Sequence, residues 1–186
     1  MRKGWLLWLA VGIAAAPSAA SAAVPTTQTC SPANLPLTYV LPADWSCEGA
    51  PPNGNVASDA KAGGMAPGFV VQLNIYAARF SGGGTVTRDA SRLVATVRQE
   101  FAQIPGVRIS HTSTTVGAAS YPAVLVGVSY RGLSFQGVEA MTHLDYFFVA
   151  RGDIYEFDFT GATKWIAKEM SAIKACARSI RFPLKA

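Results

Sequence analysis

The segment DYFFVARGDIYEFDF, residues Asp145–Phe159, contains two aromatic-rich runs on either side of a short polar stretch. Successive side chains of a strand point to opposite faces, so this pattern predicts a β-hairpin in which each strand has one apolar face. A two-residue turn at Gly152-Asp153 is expected, because glycine in the first position suits a type II′ turn. The pairs that follow from this turn are Ala150–Tyr155, Phe148–Phe157 and Tyr146–Phe159. Each pair contains an aromatic ring, which predicts that this face of the hairpin lies in the core.

The opposite face of the same hairpin carries acidic side chains. In the predicted register Asp158 lies diagonal to Asp145, at a Cβ separation of about 7 Å. Glu139 and His143 lie on the same face of the strand as Asp145. A histidine with several carboxylates can hold a metal ion or perform acid–base chemistry. We therefore consider Glu139, His143, Asp145 and Asp158 as candidate site residues. The alternative is a structural sheet face that meets water.

Hydrophobic periodicity divides the rest of the chain into further elements. Strands are expected at 35–40, 69–76, 107–116, 121–130, 135–150 and 154–160, and helices at 90–101 and 164–177. Turns are expected at Ser81–Gly84 and at Arg131-Gly132, and a long loop rich in glycine and proline at 48–68. The predicted element order is ββαββββα, which indicates an α+β domain with about six strands.

The N-terminus has the features of a secretory signal peptide. Arg2 and Lys3 precede the apolar run Trp5–Ala16, and the small residues Ala20-Ser21-Ala22 follow it. We expect cleavage after Ala22. The apolar run is shorter than the ~20 residues of a spanning helix, and no later stretch is long enough. The sequence thus predicts a signal peptide at 1–22 and one exported domain at 23–186, periplasmic or secreted, without a membrane span.

The basic residues of the mature chain are scattered and form no continuous run. The net charge of +5 includes Arg2 and Lys3, which leave with the signal peptide. A nucleic-acid-binding protein needs a concentrated basic face, so we expect no nucleic-acid partner.

Three cysteines are present in the predicted mature chain: Cys30, Cys47 and Cys176. In an oxidising compartment two of them are expected to pair, leaving one free. All three pairings remain open from the sequence. We favour Cys30–Cys47, because these two bracket one short segment, with Cys176 left free.

The residues required for the common catalytic sites are missing from the sequence. It has two histidines, His111 and His143, no Gly-x-Ser-x-Gly motif and no Gly-Lys-Ser/Thr ending after the glycine-rich stretch at Ser81–Gly84. We therefore expect a protein that is not an enzyme and that uses no cofactor.

Several short motifs carry a resemblance to a known superfamily. They are Leu41-Pro42-x-x-Trp45, Thr115-Val116-Gly117 before Tyr121-Pro122-Ala123, Phe157-x-Phe159, and Ile173 followed by Ser179-Ile180-Arg181-Phe182. From about Leu35 to Phe182 the chain resembles the PsbP-like superfamily, which includes the Ran-binding Mog proteins and the DcrB-like proteins of bacterial envelopes. The resemblance implies a three-layer sandwich, with a central, mostly antiparallel sheet and helices packed on it. It implies no catalytic residues. The chain departs from lipidated members because it lacks their anchor cysteine.

The leading hypothesis is an exported, non-enzymatic binding or assembly module that acts on an envelope or secreted partner protein. One alternative is a small periplasmic metal-binding protein or hydrolase that uses the face of Glu139, His143, Asp145 and Asp158. Another is a carrier of a hydrophobic ligand held between the sheet and a helix. Metal analysis discriminates the first alternative, and native mass spectrometry discriminates the second.

Overall fold

The structure is a computed structural model that describes residues 26–47, 62–80, 85–134 and 136–183. The predicted signal peptide, the turn at Ser81–Gly84 and most of the predicted long loop lie outside these ranges. The described elements are β1 (Thr27–Cys30), β2 (Tyr39–Pro42), β3 (Ala62–Met65), a 3-10 turn (Pro67–Phe69), β4 (Val71–Arg79), α1 (Ala90–Glu100), β5 (Arg108–Val116), β6 (Tyr121–Ser134), β7 (Gly137–Ala150), β8 (Asp153–Ala162), α2 (Thr163–Lys168) and α3 (Met170–Ser179).

Six of the strands form one antiparallel sheet in the order β3-β4-β8-β7-β6-β5, and β1 pairs with β2 in a separate two-stranded sheet. Helix α1 covers one face of the large sheet. Helices α2 and α3, together with the β1–β2 pair, cover the other. This three-layer α+β arrangement confirms the predicted fold class.

The structure contains two strands that the sequence did not predict, and the predicted turn at Arg131-Gly132 is absent. Strand β1 forms before the first expected strand, and β3 forms within the expected loop. Strand β6 continues through Arg131-Gly132, where a turn was expected. The glycine-rich β3 has weak strand propensity, but it allows close packing. A Cβ atom at Gly64 would lie 2.5 Å from Cδ1 of Leu41 and 2.8 Å from the carbonyl oxygen of Ser46.

The face toward α2 and α3 holds the aromatic core. Phe148, Phe157 and Phe159 are completely buried, and Tyr155 is 1% exposed. Phe148 stacks on Tyr155 with a centroid distance of 5.4 Å. Ile166 of α2, Ile173 and Cys176 of α3, and Tyr39 and Leu41 of β2 close the same cluster. The predicted core face of the hairpin is confirmed.

The predicted register of the β7–β8 hairpin is wrong by two residues. The turn residues are Arg151 and Gly152, with φ angles of 56° and 86°, and Ala150 pairs with Asp153. Two successive positive φ angles define a type I′ turn, whose twist matches that of the flanking strands. A shift of two residues leaves every side chain on its predicted face. It does change the partners, so that Asp145 lies directly opposite Asp158.

The cysteines are arranged as the sequence predicts. Cys30 and Cys47 form a disulfide with a Cα–Cα distance of 5.4 Å. Cys176 is a free, completely buried thiol in the core, and burial raises its pKa.

Candidate functional site

On the α1 side of the sheet, strands β4, β8 and β7 present a band of polar side chains, which we call the polar strip. Side chains opposite one another in an antiparallel pair lie on the same face. The registers of β4–β8 and β8–β7 therefore place side chains in three rows, each running across the three strands. The rows are Gln72–Thr160–His143, Asn74–Asp158–Asp145 and Tyr76–Glu156–Phe147. On the next strand, β6, the rows continue into Val124, Val126 and Val128, beneath α1. The polar strip therefore borders an apolar cluster on the same face.

Asp158 is a carboxylate of the polar strip with several polar partners. Its Oδ1 accepts a hydrogen bond of 2.6 Å from Thr160, and its Oδ2 accepts one of 3.2 Å from Asn74. His143 Nδ1 lies 3.3 Å from the same Oδ1. Burial alone would raise the pKa of Asp158, but the hydrogen bonds from His143, Thr160 and Asn74 outweigh burial and lower it. Asp158 is thus held as an anion inside the fold.

The His143 ring has a polar partner at both nitrogens. Tyr130 Oη lies 3.0 Å from Nε2, and Thr160 Oγ1 lies 2.9 Å from Nδ1. Thr160 gives its single hydroxyl proton to Asp158, so its oxygen accepts from Nδ1–H, which it shares with Asp158 Oδ1 at 3.3 Å. In the neutral ring, Nε2 then accepts from the Tyr130 hydroxyl. The ring of Phe101 packs edge-on against His143 at 5.1 Å, which fixes the plane of the imidazole.

Asp145 is held in a different environment from Asp158, although the two face each other. Asp145 is 4% exposed. Burial raises its pKa well above the usual value, and the negative charges of Asp158 and Glu156 raise it further. The carboxyl of Asp145 lies within hydrogen-bonding reach of the carboxyl of Asp158, its partner in the β7–β8 register. Two facing carboxyls share a hydrogen bond only when a proton lies between them.

Glu156 is a further acidic member of the polar strip. Burial raises the pKa of Glu156 to about 8, with the charges of Asp158 and Glu100 adding to the effect. We had not identified Glu156, Tyr130, Thr160 or Asn74 as site residues. Glu156 and Thr160 could have been found, because both share the alternation of Asp158 on one strand. Asn74 and Tyr130 depend on strand neighbours that the sequence does not reveal.

The structure brings together three of the four predicted candidates. His143, Asp145 and Asp158 each offer one ligand atom within 4.8 Å of the others. Glu139 lies apart, near the turn between β6 and β7. There it contacts Lys164 at 3.1 Å and accepts a hydrogen bond from Ser134. The Ser134 and Lys164 hydrogen bonds lower the pKa of Glu139. Glu139 is therefore part of a surface ion pair.

A cavity of about 340 Å³ lies between the end of the β6–β7 hairpin and the start of α2. Its lining includes Val70, Leu133, Met141 and Trp165, together with Glu139 and Thr160. Because Thr160 also contacts His143 and Asp158, the cavity reaches the edge of the carboxyl cluster.

The end of the β6–β7 hairpin exposes aliphatic side chains beside this cavity. Leu133 and Val138 lie directly opposite each other and are 81% and 61% exposed. They are the exposed large hydrophobic side chains within the described ranges.

None of the helices in the described part of the chain has the length and apolar character needed to cross a membrane.

Comparisons with known proteins show the fold. No family model matches the sequence, and no curated protein matches it. Among solved structures, the chain is similar to cyanobacterial PsbP (CyanoP) from Synechocystis sp. PCC 6803, with 16% identity, a TM-score of 0.56, and coverage of 90% of this chain and 100% of that one.

Two further solved structures share the arrangement. LpqN, involved in cell envelope biogenesis of Mycobacterium tuberculosis, has 14% identity and a TM-score of 0.55, covering 86% of this chain and 93% of that one. A protein of unknown function from Pseudomonas aeruginosa, described as a putative regulator, has 12% identity and a TM-score of 0.50, covering 87% and 100%. The chain has a PsbP-like fold.

Proposed function

We propose that this protein is an exported, non-enzymatic binding module that holds an apolar segment of an envelope or secreted partner protein. The binding surface consists of Leu133, Val138 and the adjoining cavity, and we call it the hairpin-end surface. The observation that carries the proposal is the exposure of Leu133 and Val138, 81% and 61%, beside a cavity of about 340 Å³. Exposed apolar groups next to a concave surface are a common mark of a binding site.

The cavity is better suited to one or two apolar side chains than to a large ligand. Its volume is at the lower end of the range for small-molecule pockets, about 300–1,000 Å³. Leu133 lines the cavity and is exposed, so a side chain from outside can enter without opening the fold. The rim is polar, because Lys164 contacts Glu139 and Gln136. An apolar centre with a polar rim is the usual anatomy of a protein–protein interface.

The interior between sheet and helices gives less support to the carrier alternative. Phe148, Phe157 and Phe159 fill that layer and are completely buried. A hydrophobic ligand would have to use the hairpin-end surface instead. Native mass spectrometry of the untreated protein distinguishes a ligand carrier from a protein-binding module, because a carrier retains a lipid of defined mass.

The geometry of Thr160 also gives little support to a hydrolase. A nucleophilic hydroxyl needs a base that accepts its proton. The Thr160 hydroxyl donates to Asp158 at 2.6 Å, but the lowered pKa of Asp158 makes that carboxylate a weak base, and the Thr160 oxygen faces His143 Nδ1.

Export is supported by the disulfide between Cys30 and Cys47, since such bonds persist in oxidising compartments. Cleavage after Ala22 is part of the proposal. Mass spectrometry of the exported protein should find Ala23 at its N-terminus. Retention of Met1 would contradict it.

Site-specific photo-crosslinking tests the binding surface. A photoreactive residue at position 133 should capture a partner from the envelope fraction of the source organism. Excess wild-type protein should compete, whereas Leu133→Ser/Val138→Ser protein should not. The matched control places the photoreactive residue at Thr112, an exposed position on the edge strand β5. Equal capture at both positions, or equal competition by the double variant, would refute the proposed surface.

A further inference from the structure

The carboxyl of Asp145 is buried and lies directly opposite the carboxyl of Asp158. Asp145 is 4% exposed, and the Asp158 carboxyl is within hydrogen-bonding reach of it. Ionised carboxylates are acceptors only, so the pair cannot satisfy itself with both groups charged. Two buried carboxylates that face each other need a nearby positive charge, and a proton or a metal ion can lie directly between them.

The imidazole of His143 supplies the third ligand that a metal ion requires. Its Nδ1 lies 3.3 Å from Asp158 Oδ1. Neighbouring ligand atoms around a tetrahedral zinc ion, at bond lengths near 2.0–2.2 Å, are about 3.3–3.6 Å apart. The histidine–aspartate edge therefore already has the required length. The Asp145 oxygen completes the set within 4.8 Å, so a small inward movement of its carboxyl is sufficient.

We infer that His143, Asp145 and Asp158 form a binding site for a divalent transition-metal ion, with Zn²⁺ as the ion of best fit. One imidazole nitrogen and two carboxylates suit Zn²⁺ or Mn²⁺, whereas Ca²⁺ and Mg²⁺ take oxygen ligands. Three protein ligands leave a coordination position open for water or for a donor group of a bound partner.

The residues around the three ligands are those that a metal site needs. Histidine ligands of metals usually make a second hydrogen bond through the other ring nitrogen. Tyr130 Oη lies 3.0 Å from Nε2 and can accept that hydrogen bond once Nδ1 binds the metal. Asn74 fixes the second oxygen of Asp158. Thr160 borders both the cluster and the cavity, so the proposed site lies next to the cavity.

Metal titration of the mature, tag-free protein after EDTA treatment and dialysis tests this site. Isothermal titration with ZnCl₂ should show one saturable site. Asp145→Asn and His143→Gln should weaken binding by more than the roughly 10–100-fold that loss of an outer partner costs. Tyr130→Phe should weaken it within that range. The matched controls are His111→Ala, at the exposed histidine of β5, and Glu139→Gln, at the surface ion pair. Both should bind Zn²⁺ as tightly as the wild type.

A second measurement uses the wild-type protein alone and does not depend on the folding of variants. The chain has two histidines, so NMR spectra of the imidazole nitrogens contain two ring systems. Zn²⁺ should shift the resonances of His143 and leave those of His111 in place. Absence of saturable binding, shifts confined to His111, or full affinity in folded Asp145→Asn protein would overturn the site. The shared proton would then be the cation between the two carboxyls.

Discussion

The two faces of the β7–β8 hairpin come from alternate residues of the same strands and behave in opposite ways. Toward α2 and α3, the hairpin contributes Phe148, Tyr155 and Phe157, each at most 1% exposed. Toward α1 it contributes Asp145 and Asp158, which are 4% and 8% exposed. Burial stabilises the aromatic side chains, because it removes apolar surface from water. Burial of the carboxyls costs free energy unless a hydrogen bond, a proton or a metal ion compensates. Substitutions on the two faces should therefore differ in size, and those on the acidic face should also differ from one another in sign.

The largest effect is expected on the aromatic face. Phe157→Ala should lower the free energy of unfolding by about 3–5 kcal/mol, because it removes a buried ring and leaves a cavity. Urea denaturation measures the change. Leu133→Ala is the control, since its side chain is 81% exposed and its loss should alter stability by roughly 0.5 kcal/mol or less. A Phe157→Ala loss below about 1 kcal/mol would contradict the complete burial of this ring.

The next effect concerns the pH dependence of stability, through Glu156. Its pKa is raised from 4.5 to about 8 in the fold, so the folded state binds the proton more tightly than the unfolded state. The stabilisation is complete below pH 4.5 and is lost as the pH rises toward 8. At about 1.4 kcal/mol per pKa unit, this difference corresponds to at most about 5 kcal/mol. Because Glu156 is only half-buried, solvent screening should reduce the loss to roughly 3 kcal/mol.

Glu156→Gln should remove most of that pH dependence. Chemical denaturation between pH 4 and pH 9, with EDTA present, measures it. Asp44→Asn, at an exposed position, is the control. A Glu156→Gln protein with the pH profile of the wild type would show that another group causes the dependence.

Smaller changes in stability, of opposite sign, are expected at the facing positions Asp158 and Asp145. At pH 7 and with EDTA, Asp158→Asn should destabilise by about 1–3 kcal/mol, because Thr160 and His143 lose a charged acceptor. Asp145→Asn should be neutral or stabilising by up to about 1 kcal/mol, because it removes one of two facing carboxyls. The pKa of Asp158 is lowered, so its contribution is present above the unfolded pKa and is lost as the pH falls through the folded value. Destabilisation of equal size at both positions would refute the assignment of the two roles.

The smallest effect is expected at Asp153, which lies beside the turn and outside both faces. Gly152 has a φ of 86°, so Gly152→Val should cost about 1–3 kcal/mol through backbone strain. Asp153 is a strand residue that contacts Arg79 at 3.5 Å on the surface. Asp153→Asn should therefore change stability by roughly 0.5 kcal/mol or less. Thermal unfolding compares the two, and a larger loss for Asp153→Asn would argue against the observed turn.

The alternation of residues predicts both faces of the hairpin but not its register. A shift of two residues preserves every face, and both Gly152-Asp153 and Arg151-Gly152 are acceptable as turns. The difference matters at the site, because only the observed register places Asp145 directly opposite Asp158. Glu139 shares the face of His143, yet it lies near the end of the hairpin with Lys164. Alternation places Glu139 on the same face as the cluster, but its distance along the strand keeps it out of the cluster.

The burial of the polar strip on the α1 side of the sheet could also not be predicted from the sequence. The helical pattern of α1 predicts a buried stripe, but it does not say which strands lie beneath it. We considered a solvent-facing polar surface as the alternative to a site, and the structure shows that Asp145 and Asp158 are buried. Strand β3 was missed for a related reason, because its glycines are selected by close contact with Leu41 and Ser46.

The burial of Cys176 bears on the order of events during oxidative folding. Before the helices dock, Cys30, Cys47 and Cys176 can all react, and two of the three bridges among them are non-native. Thiolates are the reactive species in disulfide exchange. Burial in the finished core keeps Cys176 in its neutral form, because it raises the pKa of that thiol. Docking of α3 therefore withdraws the competing thiol from the reaction. A chain that packs its core before it is oxidised reaches the Cys30–Cys47 bridge directly, whereas one oxidised first depends on an isomerase to correct the pairing.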